Sequence, residues 1–320
     1  RIACDQRARI VAYGLSETWC KCFRIPLLVR LLDFLHLGLL LFWTRFLNRV
    51  DVVHFVTTSS LRYRSIFRKK KEVASIYAGS VTRKVIEHSL YQRAFREDVY
   101  FDCLSSAISR ILVEEAAVPA CRVFTAPCSF IDLEGTVFDE QLKGNIVSYV
   151  GRLVEEKGIR VLLEAIVDVV ATVRDVKFFI AGHGSLEAEV RAFIAEHGLQ
   201  ETVFLSFYRD PRALLVKSLI FVSLQRNENY PSQSLLEAMA CGNAIIATNV
   251  GLTRLLVDES NGRLIREDAK ELASAIIALL NAREDTLIKG SNSREKILAG
   301  HSVERFLVYL NELYHRRLHE

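Results

Sequence analysis

Ile146-Val-Ser-Tyr-Val-Gly151-Arg-Leu-Val-Glu-Glu-Lys157-Gly158, with the apolar run Ile159 to Val173 behind it, decides the fold class. The β-branched and aromatic residues before Gly151 read as a buried strand ending in a turn. Ile159 to Val173 switches to helical periodicity, and Val176-Lys-Phe-Phe-Ile-Ala181 returns to strand. Working outward, Leu186 to His197 reads as a helix stopped by Gly198. Val203–Leu205, Leu219–Ser223 and Ala244–Ala247 read as short strands with helices between them. Strands alternating with helices predict an α/β fold with a parallel sheet covered on both faces. Asn261-Gly262 marks a tight turn between Leu255–Val257 and Arg263–Ile265.

Toward the N-terminus, Arg9–Tyr13, Asp51–Val56, Val73–Tyr77, Tyr100–Leu104 and Cys121–Thr125 also read as strands. The polar segment Leu133–Gly144 is the expected linker. Two α/β domains follow, 1–144 and 145–320, the second ending in an amphipathic helix over 302–318. A chain of 320 residues suits that division.

Composition narrows the class further. Half the residues are apolar, which excludes a disordered chain, and no fixed-period repeat suggests a solenoid. The seven cysteines are scattered, without paired metal-ligand spacing, and read as reduced thiols of a cytosolic protein. The net charge of +4 divides into +6 over residues 1–145 and −2 over the remainder. Arg62, Arg64, Arg68, Lys69, Lys70 and Lys71 form a basic run, read as a solvated loop or an anionic-lipid or phosphate patch. It lacks the motifs of a nucleic-acid binder. Leu27–Leu47 is the most apolar stretch, but Arg30, Asp33, His36 and Arg45 argue against a bilayer span. It reads as a buried helix or as a surface resting on an anionic membrane. The sequence opens on Arg1 and its one methionine is Met239, so a removed or missing N-terminal segment is expected.

Open α/β sheets bind ligands at the C-terminal ends of their strands. In the first such loop, Gly151–Gly158, Arg152 and Lys157 suit a phosphate or diphosphate, the plainer alternative being charges flanking a helix start. In the second, Ala181-Gly182-His183-Gly184-Ser185-Leu186, two glycines permit close backbone approach to a ligand or simply make a turn. Glu187 occupies the third glycine position of a dinucleotide fingerprint, so that motif is absent, and His183 reads as a turn residue. The third loop is Arg226-Asn-Glu228-Asn229-Tyr230-Pro231-Ser232-Gln233-Ser234-Leu-Leu-Glu237-Ala-Met-Ala-Cys-Gly242. Pro231 and Ser232 precede an apolar helix whose N-terminus favours an anion. Glu228 and Glu237 suit sugar or ribose hydroxyls. Each has an alternative: Ser234-Leu-Leu-Glu237 fits a capping box, and Glu228 would favour the helix dipole.

These three loops, with Ala244-Ile-Ile-Ala-Thr-Asn-Val-Gly251 and Asp258-Glu-Ser-Asn-Gly262-Arg-Leu-Ile, resemble the nucleotide-sugar domain of family 4 (group 1) glycosyltransferases. The similarity covers residues 145–318; Asp51-Val-Val-His54 and Ala126-Pro-Cys-Ser-Phe-Ile-Asp132 resemble the N-terminal half more loosely. The resemblance implies GT-B architecture, two Rossmann-like domains with the donor in the cleft between them. It implies a retaining hexosyltransferase that needs no metal or cofactor and uses a UDP- or GDP-sugar as co-substrate. The expected acceptor is a glycan or lipid-linked glycan of cell-surface polysaccharide synthesis. The expected location is cytoplasmic, peripheral to the inner membrane face. Arg152, Lys157 and Glu228 would be catalytic. Gly151, Gly182, Gly184, Asn229, Tyr230, Pro231, Ser232, Gln233, Ser234 and Glu237 would line the donor site.

Departures from the family pattern keep other readings open. Family glutamates have seven residues between one another, whereas Glu228 and Glu237 have eight, so Asn229 takes the strict position. Gly251-Leu-Thr-Arg254 stands where relatives carry Gly-Gly-x-x-Glu. The glycine-rich opening loop is not visible, and Ser75-Ile-Tyr-Ala-Gly79-Ser80 lacks the histidine of relatives; His54, at a strand end, is open to either role. The alternatives are a catalytically impaired nucleotide-sugar-binding protein and a nucleotide-sugar epimerase.

Overall fold

The computed structural model describes residues 51–56, 61, 64, 70–76, 89–127 and 129–320. Arg9–Tyr13, Leu27–Leu47, Cys128 and, in the basic run, Arg62, Arg68 and Lys69 lie outside them. The first sheet holds β1 (Val52–Phe55), β2 (Lys71–Ile76), β3 (Val99–Cys103) and β4 (Val123–Thr125), side by side in that order. β2, β3 and β4 are parallel, and Ser75 lies opposite Asp102 in the register. Helix α1 (Ser89–Arg96) precedes β3, and α2 (Ser106–Glu114) follows it, capped by Ser105.

The second sheet follows the expected alternation: β5 (Gly144–Val150), α3 (Ile159–Thr172), β6 (Lys177–Ala181), α4 (Glu187–Glu196), β7 (Val203–Ser206), α5 (Arg212–Lys217), β8 (Ser218–Ser223), α6 (Gln233–Ala240), β9 (Ala244–Thr248) and β10 (Gly262–Ile265). All six strands are parallel, in the order β10-β9-β8-β5-β6-β7. The chain therefore leaves β5 in one direction and returns to its other side at β8, a topological switch point. Helices α7 (Ala269–Asn281), α8 (Arg283–Gly300) and α9 (Val303–His319) complete the chain. One compact unit takes in His54–Arg62 and Lys71–Glu320 and so holds most of both sheets.

Every residue of β8 and β9 is buried, as parallel strands covered on both faces must be. Ile220, Val222, Ala244 and Ile246 point into a core shared with α3 and α7. Phe221, Ile245 and Ala247 point the other way, into a core with Leu235 and Met239 of α6 and Ile297 of α8. The helices after β5 and β8 thus cover opposite faces. In α3, Ile159, Leu162, Leu163, Ile166 and Val169 are the buried positions, one stripe of a 3.6-residue period. Each such side chain contributes about 1.5–3 kcal/mol by leaving water.

Three findings differ from what local sequence suggests. The polar segment Leu133–Gly144 is pinned down along its length: Thr136 and Lys143 are buried, Lys143 Nζ donates to Cys241 O (2.7 Å) and Leu215 O (3.2 Å), and Arg294 donates to Thr136 O (2.9 Å). Its charges cap helix C-termini, a role that composition does not reveal. Asn261-Gly262 does turn the chain, but Thr253–Leu255 before it is a 3-10 turn, and β10 pairs in parallel with β9. A Cβ on Gly262 would stand 2.1 Å from Ile245 O, so close strand approach demands the glycine. Finally, α9, last in sequence, packs on the first sheet. Phe306 meets Ala126, Arg317 lies 4.6 Å over the Tyr100 ring and binds Asp98 Oδ2 at 2.8 Å, and Tyr100 donates to Glu320 at 2.5 Å. Ile131 bridges Ser302, so the two crossover segments run side by side.

Candidate functional site

The loops that end β5 and β8 meet at the switch point. A 3-10 turn, Glu155–Lys157, follows β5, and Gly158 takes the left-handed conformation (φ 63°) before α3. Tyr149 Oη donates to the carbonyls of Arg152 and Lys157 (both 3.2 Å) and holds the loop from below. Lys157 Nζ donates to Gln225 Oε1 at 2.6 Å, which places the ammonium over the end of β8. Half-burial, with the like charge of Arg152, pushes Lys157 below the usual lysine range, while Glu156 opposes the shift. Arg152 is exposed at the same rim.

The glycine pair after β6 makes room for close backbone packing. A Cβ on Gly182 would stand 1.8 Å from Gly151 O, and one on Gly184 2.3 Å from Leu153 O. Leu153 N–H donates to His183 O (2.9 Å), and Leu186 N–H to Leu153 O (3.0 Å). Gly182 and Gly184 therefore let two backbone loops stack, and that stacking fixes the Gly151–Leu153 rim. His183 is exposed and meets Phe207 edge-on at 5.0 Å, a turn residue as read.

After β8, Glu228 turns inward while Asn229 is exposed. A Cβ on Gly251, itself at φ 55°, would come within 2.6–2.9 Å of the Glu228 side chain, so the β9 loop is the floor on which Glu228 rests. Glu228 Oε1 is buried with no hydrogen-bond partner among the described residues. A buried carboxylate oxygen in that state costs desolvation free energy unless a donor arrives. Geometry favours Glu228 over Asn229 as the inward-facing group, despite the spacing. Tyr230 and Pro231 lead into α6 and are partly buried.

The capping box at Ser234 does not form. Helix α6 begins at Gln233 with Ser232 as N-cap, so Ser234 and Glu237 both lie inside it. Packing of Leu235, Leu236 and Met239 sets where the helix starts and overrides the local motif. Glu237 is left half-buried without a capping task. Burial pushes its carboxyl up, while a hydrogen bond from Gln233 and the charge of Arg212 pull it back and Asp210 adds to the rise. Arg212 grips Asp210 (Nη2–Oδ2 2.7 Å) and also donates to the carbonyl of Glu134.

Sequence reasoning missed Gln225, Arg226, Thr248 and Arg212, which hold these loops. Thr248 Oγ1 exchanges hydrogen bonds with the backbone N–H (2.9 Å) and carbonyl (2.7 Å) of Gln225. No local motif announces Gln225, Arg226 and Thr248, since their partners lie tens of residues away. Among the described residues, no three His, Cys, Asp or Glu side chains are placed to share a metal ion.

His54 belongs to another network, between the first sheet and α9. Ser75 Oγ donates to Asp102 Oδ2 (2.8 Å), Tyr309 donates to Asp102 Oδ1 (2.6 Å), and His54 bridges Ser75 (Nε2, 2.5 Å) and Tyr314 (Nδ1, 2.6 Å). Because Ser75 gives its proton to Asp102, its oxygen accepts from His54 Nε2–H, and Nδ1 accepts from Tyr314. Burial pushes the imidazole pKa down against the pull of Asp102, so the neutral ring is the stable form.

Residues 144–282 match the family model described as glycosyl transferases group 1. In this segment the chain is similar to the group 1 glycosyltransferases. Poly(ribitol-phosphate) alpha-N-acetylglucosaminyltransferase of Staphylococcus aureus (strain COL) is 31% identical over 166 residues, covering 51% of this chain and 34% of that protein. Capsular polysaccharide biosynthesis glycosyltransferase CapM of Staphylococcus aureus is 27% identical over 188 residues, 55% and 47% of the two chains. The chain spans less than half the length of those two relatives. Anabaena Alr3699/HepE, solved in complex with UDP, superposes with TM-score 0.72 at 17% identity over 83% of this chain and 79% of that one. S. aureus TarM gives 0.68 at 21% over 89% and 59%. The shared fold is GT-B. No helix among the described residues is long and apolar enough to cross a membrane.

Proposed function

We propose that the chain is a group 1 glycosyltransferase that moves a hexose from a UDP- or GDP-sugar to a glycan or lipid-linked acceptor in cell-surface polysaccharide synthesis, retaining anomeric configuration. The observation that carries the reading is the buried, unpartnered Glu228 oxygen three residues after Gln225, which holds the Lys157 ammonium. An acceptor and a cation so placed suit a ligand with hydroxyls at one end and phosphates at the other. Glu228 meets the sugar hydroxyls, Glu237 the ribose, and Arg152 and Lys157 the diphosphate. The free N–H groups at the start of α6, at Ser232, Gln233 and Ser234, add to the phosphate site. Charge builds on the departing diphosphate, so cations and N–H dipoles fixed in place lower the barrier. In this reading no metal or other cofactor takes part, residues 145–320 hold the donor, and residues 1–144 face the acceptor.

The names of the relatives support the substrate class: poly(ribitol-phosphate), capsular polysaccharide and O-antigen chain transferases are among them. The test is calorimetric titration with UDP and GDP, with and without Mg²⁺. Metal-independent, saturable binding of one nucleotide, lost in Glu237→Ala, is expected; failure of both to bind overturns the donor site. We also propose a cytoplasmic location with peripheral contact at the inner membrane face through Leu27–Leu47 and the basic run. Sedimentation with anionic vesicles at low salt tests it, and absence of binding removes it.

A further inference from the structure

At a topological switch point the backbone offers no ladder to hold two neighbouring loops together. Here α3 and α6 leave on opposite faces of the sheet, so the loops after β5 and β8 touch near the strand ends and then lead to opposite sides. Side chains must close the gap. An alternating chain of charges spans it: Glu189, Arg160, Glu155, Arg226 and Glu267. Arg160 binds Glu189 with both arms of its fork (Nε–Oε1 2.6 Å, Nη2–Oε2 2.9 Å) and reaches Glu155 with the third nitrogen. Arg226 takes the other oxygen of Glu155 through Nη1 and Glu267 through Nε. Its backbone N–H also donates to Glu156 O at 3.1 Å. Glu155 and Glu156 are the two residues before Lys157, and Arg226 stands two before Glu228.

We infer that Arg226 is a positioning residue of the donor site, clamping the Lys157 loop to the Glu228 loop through Glu155 and Glu156. The inference rests on the donor site proposed above. Nε and Nη1 of the Arg226 guanidinium are committed to carboxylates on two loops, so its effect on the nucleotide passes through loop placement. Water screens these partly exposed pairs, so each contributes little to the stability of the fold. Misplacing a charged group by an ångström at a reacting centre costs far more, up to roughly 100-fold in rate. The chain therefore acts on loop placement and little on global stability.

A mutant cycle tests this, read by UDP and GDP affinity of the full chain in calorimetry, with melting temperature as the check on folding. Arg226→Met is expected to weaken nucleotide binding about tenfold, and Glu155→Gln, which opens the same bridge from the other side, to match it. Arg226→Lys is expected to restore most of the loss. In a Lys157→Ala background, Arg226→Met should change affinity less than about twofold, because the group it positions is gone. Equal losses in both backgrounds, or unchanged affinity in Arg226→Met with the wild type binding normally, overturn the positioning role and leave the donor site standing. A wild type that binds neither nucleotide removes the donor site and this inference with it.

Discussion

The two sheets handle buried polar groups in opposite ways. Beneath α9, on the first sheet, each proton is assigned: Tyr314 to His54, His54 to Ser75, Ser75 and Tyr309 to Asp102. At the C-terminal edge of the second sheet, Glu228 keeps a buried oxygen without a partner, Glu237 sits in a helix it does not cap, and Lys157 leans on a neutral amide. A closed network holds structure together, because opening it leaves buried groups unsatisfied. An open one stores the desolvation cost that a ligand with matching groups relieves. The difference separates a closed structural network from the candidate site within one chain.

Substitutions in the two networks should therefore separate cleanly. Lys157→Ala is expected to lower sugar transfer about 100-fold with an unchanged melting temperature, since an electrostatic group at such a site supplies about 2.7–4 kcal/mol. Near-normal turnover would break the contrast at its strongest point. Gly251→Ala puts a Cβ into the Glu228 side chain at a left-handed φ, so transfer should fall about tenfold while UDP affinity holds, because the misplaced group faces the sugar. Equal loss in kcat and in nucleotide affinity would move Glu228 away from the sugar. In the closed network, Asp102→Ala strands the hydroxyls of Ser75 and Tyr309 and should cost about 1–3 kcal/mol in denaturant melts, with nucleotide affinity intact. Loss of UDP binding in that variant would merge the two networks.

The smallest effect expected is in pH. The folded chain holds His54 below its ordinary value of 6.5, so the unfolded chain takes up the proton first as pH falls. Stability from this site is complete above 6.5 and declines below it. Asp102, Ser75 and Tyr314 are the groups facing the ring, and the nearest negative charge, Asp102 Oδ2 at 3.9 Å, limits the decline. Melting temperature followed from pH 8 to 5 should fall more in the wild type than in His54→Gln. Parallel profiles would show that His54 is not the titrating group.

Much of the second sheet was readable because its signals are local. The alternation of β-branched runs with helical stripes named β5, α3, β6 and β8 within a residue or two, and Gly158 and Gly198 marked helix boundaries through their own conformation. The candidate site was readable in outline, since Arg152, Lys157, Glu228 and Glu237 fall on strand-to-helix loops or just beyond them. What Gly182 and Gly184 are for was not. Their missing Cβ atoms make room for Gly151 and Leu153, a contact between loops about thirty residues apart that no motif encodes. The capping box failed for a related reason: four residues can suggest a helix start, but burial of Leu235, Leu236 and Met239 chose another.

By itself the sequence determined the α/β class, the order of strands and helices in the second sheet, and which residues sit on the loops at its strand ends. Those properties follow from side-chain periodicity and from residues acting on their immediate neighbours. Tertiary structure alone decided that α9 returns to the first sheet, where Tyr314 meets a histidine 260 residues earlier in the chain. It alone decided that Leu133–Gly144 is held fast and that Arg226 joins two loops across the switch point. Each is a pairing of charges or hydrogen-bonding groups far apart in sequence, and such groups find their partners only after the apolar cores have set the distances between them.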